Sequence, residues 1–431
     1  MPQLIESVKK LINSQDFQDR HKQAPEHFTR NRKLTFERLV SFFSNMNKAS
    51  YQTELDNYFK TANNSDVPER VIYKGSLSKA RNKLKYEAFI EMNDHMNTHY
   101  AAHFQTKKWN GFNLIAFDGS TARVPDEPEI AEHFGAWNTV KGKNPCPLSR
   151  VSQMFDVLNH ITLDAIISPK SEGERELAAI HLLKIMADDL VLLDRGYAAF
   201  WLFKLIISLL ANFCARMSCT KWKVIRQFYE SGLPEAVVKL NPPPSSIQKC
   251  KEMGLDTKPI KLRLIRVELE SGETEILATT LKNMNEYPID LFAELYHCRW
   301  PIEEDYKTMK CRIEMESFSG KSVLSVYQDF HAKVFSKNMT SIIINSVHEE
   351  VHKRAERCKF ERKVNFTQAL SKIKHTIILL LTRTYEELQT LVDKIRDIFI
   401  KTTESIRPNR KYERIHRVKQ KRYHNAYKPI S

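Results

Sequence analysis

This 431-residue sequence offers little to a disulfide framework or a zinc site. Its seven cysteines are scattered at positions 146, 214, 219, 250, 298, 311 and 358, with no CxxC pair and an odd count. That usage fits reduced thiols. Long apolar runs are also missing. The greasiest stretch, Phe200 to Cys214, is interrupted by Lys204 and Asn212. It is too short for a membrane span and is expected to be a buried helix. The first residues, MPQLIESVKKLINSQ, are amphipathic and lack a continuous apolar core, so no signal peptide is expected. There is no GxxxxGK[ST] phosphate loop, which argues against ATP-driven chemistry. No repeat recurs at a fixed period.

Positive charge is what the chain has in surplus. Lys and Arg outnumber Asp and Glu by 67 to 52, a formal net charge of +15. The simplest partner for such a surface is a polyanion, and nucleic acid is the obvious one. A basic soluble protein without such a partner is the alternative. The length implies two to four domains, and an apolar fraction of 42% can fill their cores.

Residues 1–105 read as a helical domain. RKLTFERLVSFFSN (32–45) has apolar residues at helical spacing, and SLSKARNKL (76–84) reads as a Ser-capped basic helix. Arg20, Lys22, Arg30, Arg32, Lys33 and Arg38 make this region a candidate DNA-binding domain, with a solvated helical face as the bland alternative. Residues 106–219 change to an α/β texture. NLIAF (113–117) is a short apolar run ending at Asp118-Gly119-Ser120. Residues 150–168 read as two strands joined at Asn159-His160, and 172–188 as a helix. DLVLLDRGY (189–197) reads as a buried strand ending at Asp194. Segment 220–285 reads as a β-rich insertion, with the strands KLRLIRVELE and TEILATTL around a Ser271-Gly272 hairpin. The alternation in the first strand slips, as a bulge would make it. Helical pattern fills 286–345 and returns in 346–431. The tail RPNRKYERIHRVKQKRYHNAYK (407–428) mixes Lys and Arg with Tyr412, Tyr423 and Tyr427. Arg407, Arg410 and Lys411 are its first candidate phosphate contacts.

Residues 296–310, YHCRWPIEEDYKTMK, carry the sharpest signal. Tyr296, Arg299, Glu303 and Lys310 fall at spacings that share one face of a continuous helix. Such a stripe is normally apolar. A carboxylate among cations there suits a site for a divalent metal and a phosphate. Phosphodiester chemistry uses such ions to stabilise the entering and leaving oxygens, and carboxylates at strand ends hold them rigidly. Asp118 and Asp194 end apolar strand-like runs, and Glu303 joins them from the stripe. Each alone reads as a turn or capping carboxylate. Asp188 and Asp189 precede a strand and are expected to close a helix, while Asp156 and Asp164 lie within or between strands. These four rank below the three.

In these elements the chain resembles the DDE transposases of bacterial insertion sequences, in particular the insertion-sequence-four family. The family's Y-x2-R-x3-E-x6-K signature is matched by Tyr296, Arg299, Glu303 and Lys310 at every spacing. Its two aspartate motifs are matched by Asp118-Gly119-Ser120 and Asp194-Arg195-Gly196-Tyr197. The resemblance implies an RNase H-like core with two Mg²⁺ or Mn²⁺ ions held by Asp118, Asp194 and Glu303. It implies nicking of transposon ends in double-stranded DNA, then strand transfer into target DNA. A homodimer on paired ends and a cytoplasmic, nucleoid-associated bacterial location follow from it. Arg299 and Lys310 would bind phosphates near the cut, and Tyr296 would position the backbone. Trp300, rotated from Arg299, is expected to pack on the core.

One position departs from the pattern. Relatives that cut through a DNA hairpin carry a tryptophan ahead of a strand like EILATT, where this chain has Glu275. Trp222 is a candidate substitute. An RNase H-like nuclease without strand transfer is the second reading, and a domesticated, non-catalytic DNA-binding protein the third.

Overall fold

The computed structural model describes residues 1–30, 32–137, 145–269 and 271–407. Its strands in chain order are β1 Asn113–Arg123, β2 Ala136–Trp137, β3 Cys146–Asp156, β4 Ile161–Pro169, β5 Asp189–Leu193 and β6 Asn212–Met217, then β7 Glu235–Leu240, β8 Ile260–Glu268, β9 Thr274–Thr279, β10 Arg362–Val364 and β11 Thr403–Ser405. The fold is mixed α/β. The chain forms two compact units, one of residues 106–121 and 149–306, the other of 1–105, 122–148 and 307–431.

The first unit is built on a sheet with strand order β4-β3-β1-β5-β6-β9-β8-β7. The β3–β4 hairpin turns through His160, which takes a positive φ of 55°, and Asp156 caps the turn by accepting from the amides of Leu158 and Asn159. β1 pairs in parallel with β5, and β5 with β6, because helices fill the connections between them. The stretch Phe200–Cys214 supplies the helix Phe200–Ser208 and the start of β6. Its Phe203 stacks on Phe213 at 4.4 Å, inside a core that also holds Ile115, Phe117, Val191 and Leu193.

β9 returns antiparallel to β6, and β8 and β7 extend the sheet. The hairpin forms at Ser271-Gly272 as its sequence implies, with Gly272 at φ 83°. The expected bulge in β8 is not there. Its pairing with β9 runs without a shift from Arg263↔Thr279 to Glu268↔Thr274. Leu262, Arg263, Leu264 and Ile265 are all buried, so both faces of β8 are covered and strict alternation is not required. Arg263 tolerates this by pairing with Glu235 and donating to the carbonyl of Tyr287 at 2.6 Å. A register shift does occur elsewhere, in β3 between Met154 and Phe155.

The second unit is helical. The helix Val323–Asn345 is buried on nearly every side, which is the position of a central helix. The helices Phe36–Phe43, Glu87–His103 and Phe366–Thr382 pack around it. The SLSKAR segment lies in the helix Lys74–Arg81, which starts before Ser76 and has Tyr73 at its N-cap without a side-chain cap. Its Arg81 is 3% exposed and points into protein, not to solvent. Among the described residues no helix is long and apolar enough to cross a membrane.

Candidate active site

Two aspartates stand at neighbouring strands of the sheet and are close enough for the charge of Asp194 to act on Asp118. The β1–β5 register runs from Asn113↔Asp189 to Ala116↔Leu192. The pairing ends there, and Asp118 and Asp194 each follow its last pair by two residues, Asp118 still within β1 and Asp194 just past β5. β1 does not end at Asp118 as its sequence suggests. It continues to Arg123 beside β3, and only its pairing with β5 stops short of the aspartate.

Asp194 is fixed by the turn that follows it, and Asp118 by its neighbours within β1. Asp194 Oδ1 accepts from the amides of Gly196 at 2.7 Å and Tyr197 at 3.2 Å. A Cβ at Gly196 would come within 3.0 Å of that oxygen, so a hydrogen there gives the carboxylate its room. Asp118 Oδ1 accepts from the Gly119 amide at 3.0 Å. Tyr306, buried, donates to the Asp118 carbonyl at 2.9 Å and clamps the backbone from behind. Its position one turn after Glu303 on the same helix is the sequence signal that marks it.

The segment 296–310 is not one helix. The helix Leu291–His297 closes, and Arg299 and Trp300 donate from their amides to carbonyls three residues back. A new helix, Pro301–Cys311, then begins. Pro301 is the physical reason. It has no N–H to donate, and it disfavours helical geometry at the residue before it. Trp300 therefore sits in the break, 40% exposed, and not in the core. Tyr296 and Arg299 precede the break and Glu303 follows it, yet they still meet. Arg299 donates to Glu303 Oε1 at 2.5 Å and lies 6.0 Å from the Tyr296 ring centre. Lys310, in the last turn of the second helix, belongs to the helical unit.

Asp118 feels the charge of both other carboxylates. Burial pushes Asp118 up to about 6, and Asp194 and Glu303 add to the rise, while the Gly119 amide and Arg299 oppose it. Burial alone would lower Arg299, but Tyr296 and Glu303 hold it raised and charged. Their oxygens are not gathered into a coordination shell. Among the described residues no three His, Cys, Asp or Glu side chains are placed to hold a metal ion. The donor chemistry nonetheless fits a hard divalent cation. Among the described residues, the second oxygen of Asp118, Asp194 and Glu303 accepts no hydrogen bond.

The lower-ranked acids have structural partners. Asp164 is held down to about 2 by His181 and Lys184, against the upward push of burial. Asp189 opens β5 and does not close a helix; it accepts from the Met186 amide and from Asn113. Asp188 pairs with Lys108 at 2.7 Å. Glu275 pairs with Arg216 at 2.9 Å, and Trp222 packs against the sheet core. In the helical unit, Arg30, Arg32, Lys33, Lys79 and Lys83 line a cavity of about 810 Å³. Arg407 is exposed, while Arg410 and Lys411 lie outside the described residues.

Comparison with known proteins agrees with the resemblance seen in the sequence. The family described as "Transposase DDE domain" matches residues 109–339, more than half of the chain. The chain is similar to "Transposase InsG for insertion sequence element IS4" of Escherichia coli (strain K12). The two are 23% identical over 214 residues, which is 50% of this chain and 48% of that protein. It is 35% identical over 88 residues to "Putative transposase InsZ" of the same organism, covering 20% of this chain and 29% of that protein. The chain thus spans less than half the length of either curated relative. Among solved structures, it is similar to a piggyBac transposase synaptic complex with hairpin DNA, at TM-score 0.48 and 9% identity. That match covers 94% of this chain and 86% of the other.

Proposed function

The chain belongs to the family of transposase DDE domains, and from that premise we propose that it is a DNA transposase. It cleaves double-stranded DNA at transposon ends and transfers the freed ends into target DNA. The observation that supports this most is that Asp118, two residues past the β1–β5 pairing as Asp194 is, lies close enough to both Asp194 and Glu303 to feel their charge.

Family membership implies a divalent metal. We assign it as two Mg²⁺ or Mn²⁺ ions held by Asp118, Asp194 and Glu303. When bound, such ions activate the attacking oxygen and stabilise the leaving one. The chain's own residues do the rest. Glu303 would help to hold the ions, and the Arg299 guanidinium, now paired with Glu303, would bind the DNA phosphate beside the cut. Tyr296 packs beside that guanidinium and orients it. Lys310 binds a DNA phosphate.

The wider reading has supports of its own. The order β4-β3-β1-β5-β6, with a hairpin on one side of β1 and parallel strands on the other, supports an RNase H-like core. The antiparallel β7–β9 and their two helices then form the insertion of 220–285. The basic cavity among residues 1–105 and the tail cations Arg407, Arg410 and Lys411 supply phosphate contacts along the DNA. The chain acts as a homodimer on paired ends, in the bacterial cytoplasm at the nucleoid.

The test is incubation of the purified chain with labelled end DNA and Mg²⁺. Nicked and strand-joined products are expected, and none should form with EDTA. Cleavage without any joined product would favour the nuclease reading. DNA binding with no cleavage in Mg²⁺ or Mn²⁺ would contradict both.

A further inference from the structure

The helix Glu174–His181 reaches both aspartate segments with its first two side chains, the Asp194 turn and the stretch of β1 at Asp118. Arg175 Nε donates to the Gly196 carbonyl at 2.8 Å, in the turn whose amides hold Asp194. Glu174 lies across Gly119, the residue after Asp118. A Cβ at Gly119 would meet its Cγ and Cδ at 3.1 Å, so the side chain passes as close as a glycine permits. Arg150 of β3 pairs with the Glu174 carboxylate and ties it to the sheet.

The helix that carries this pair is itself pinned. Leu177 and Ala178 are buried in the core of its unit. At its far end, buried His181 bridges Asp164 of β4 at 2.7 Å and Ser152 of β3 at 3.0 Å. This Ser–His–Asp chain is sealed from substrate, since Ser152 and His181 have no exposed surface. It works as an anchor. One anchored element therefore spans the strand that carries Asp118 and the turn that follows Asp194.

We propose that Glu174 and Arg175 are positioning residues, which set the Asp118 stretch of β1 and the Asp194 turn at the mutual distance that ion binding needs. This rests on the reading of Asp118 and Asp194 as metal ligands. Groups that orient a ligand from behind typically change metal affinity by about 10- to 100-fold when removed.

The test uses the full chain, with Mn²⁺ binding followed by electron paramagnetic resonance and thermal melting measured in parallel. Arg175→Leu should weaken Mn²⁺ binding at least about tenfold, with the melting temperature within about 2 °C of the native chain. Arg175→Lys keeps a cationic donor and should recover most of the loss. Glu174→Gln should weaken binding in the same direction. Native Mn²⁺ affinity in Arg175→Leu would overturn the proposal. So would a loss that follows a melting-temperature drop and is equal in the Lys and Leu variants, since that marks a purely structural role. If the native chain shows no Mn²⁺ binding that Asp118→Asn removes, the metal-site reading fails first, and this proposal with it.

Discussion

Asp118→Asn is expected to lower Mg²⁺-dependent end cleavage by roughly a thousandfold or more, and Asp194→Ala and Glu303→Ala to do the same. DNA binding should remain, because phosphate contacts elsewhere carry most of the affinity. Asp118→Asn should also make the metal-free chain more stable near neutral pH. In the unfolded chain the Asp118 carboxyl ionises at its ordinary value of 3.8, and in the folded chain at about 6. Between those values the folded state holds the proton that the unfolded state has lost, so its contribution to stability falls as pH rises. Above about pH 6 the full cost is present, on the order of 3 kcal/mol. Asn carries no charge and escapes it. Denaturant melts of the two proteins should differ by that order at pH 7.5 and converge toward pH 4. An inactive variant that is more stable than its parent is the mark of a carboxylate kept for function at the expense of the fold. Normal cleavage by any of the three variants would remove its residue from the site.

Asp329→Ala should cost about 3–5 kcal/mol of folding stability. Arg81 and Asp329 form a buried ion pair at 2.6 Å in the helical unit. The guanidinium also donates to Gln328 at 2.6 Å, to Ser319 at 3.0 Å and to the Ser325 carbonyl at 2.9 Å, and it lies 4.5 Å from the Phe43 ring centre. Asp329 in turn accepts from the Ser319 amide at 2.6 Å. Removing the carboxylate strands a cation that burial already pushes toward losing its proton. Replacing both partners by apolar residues, Arg81→Met with Asp329→Leu, should recover much of the loss. Urea unfolding of the two variants decides this. A single-variant cost below about 1 kcal/mol would mean that the pair is solvated.

The aspartates proposed to carry the chemistry stand out in the sequence because they interrupt apolar runs. Asp118 and Asp194 follow NLIAF and LVLL, and the strands behind them are where those runs put them. What defeated the sequence was context. Spacing alone extends one helix through 296–310, and the single residue Pro301 breaks it. Alternation in β8 reads as a bulge only while one face is assumed to see water. Arg81 reads as one more charge on a basic helix, because nothing local announces that Asp329, 248 positions later, is its partner. Glu174 and Arg175 stand at a helix start, where an acid needs no further explanation. Their closeness to Gly119 and Gly196 is a product of tertiary structure.

The most direct test of the three-carboxylate site is anomalous scattering from crystals of the chain grown or soaked with Mn²⁺. A Mn²⁺ peak bonded by oxygens of Asp118, Asp194 and Glu303, with Glu303 turned away from Arg299, is the predicted result. Mn²⁺ bound elsewhere, with Glu303 still paired to Arg299 and the two aspartates bare, would contradict it.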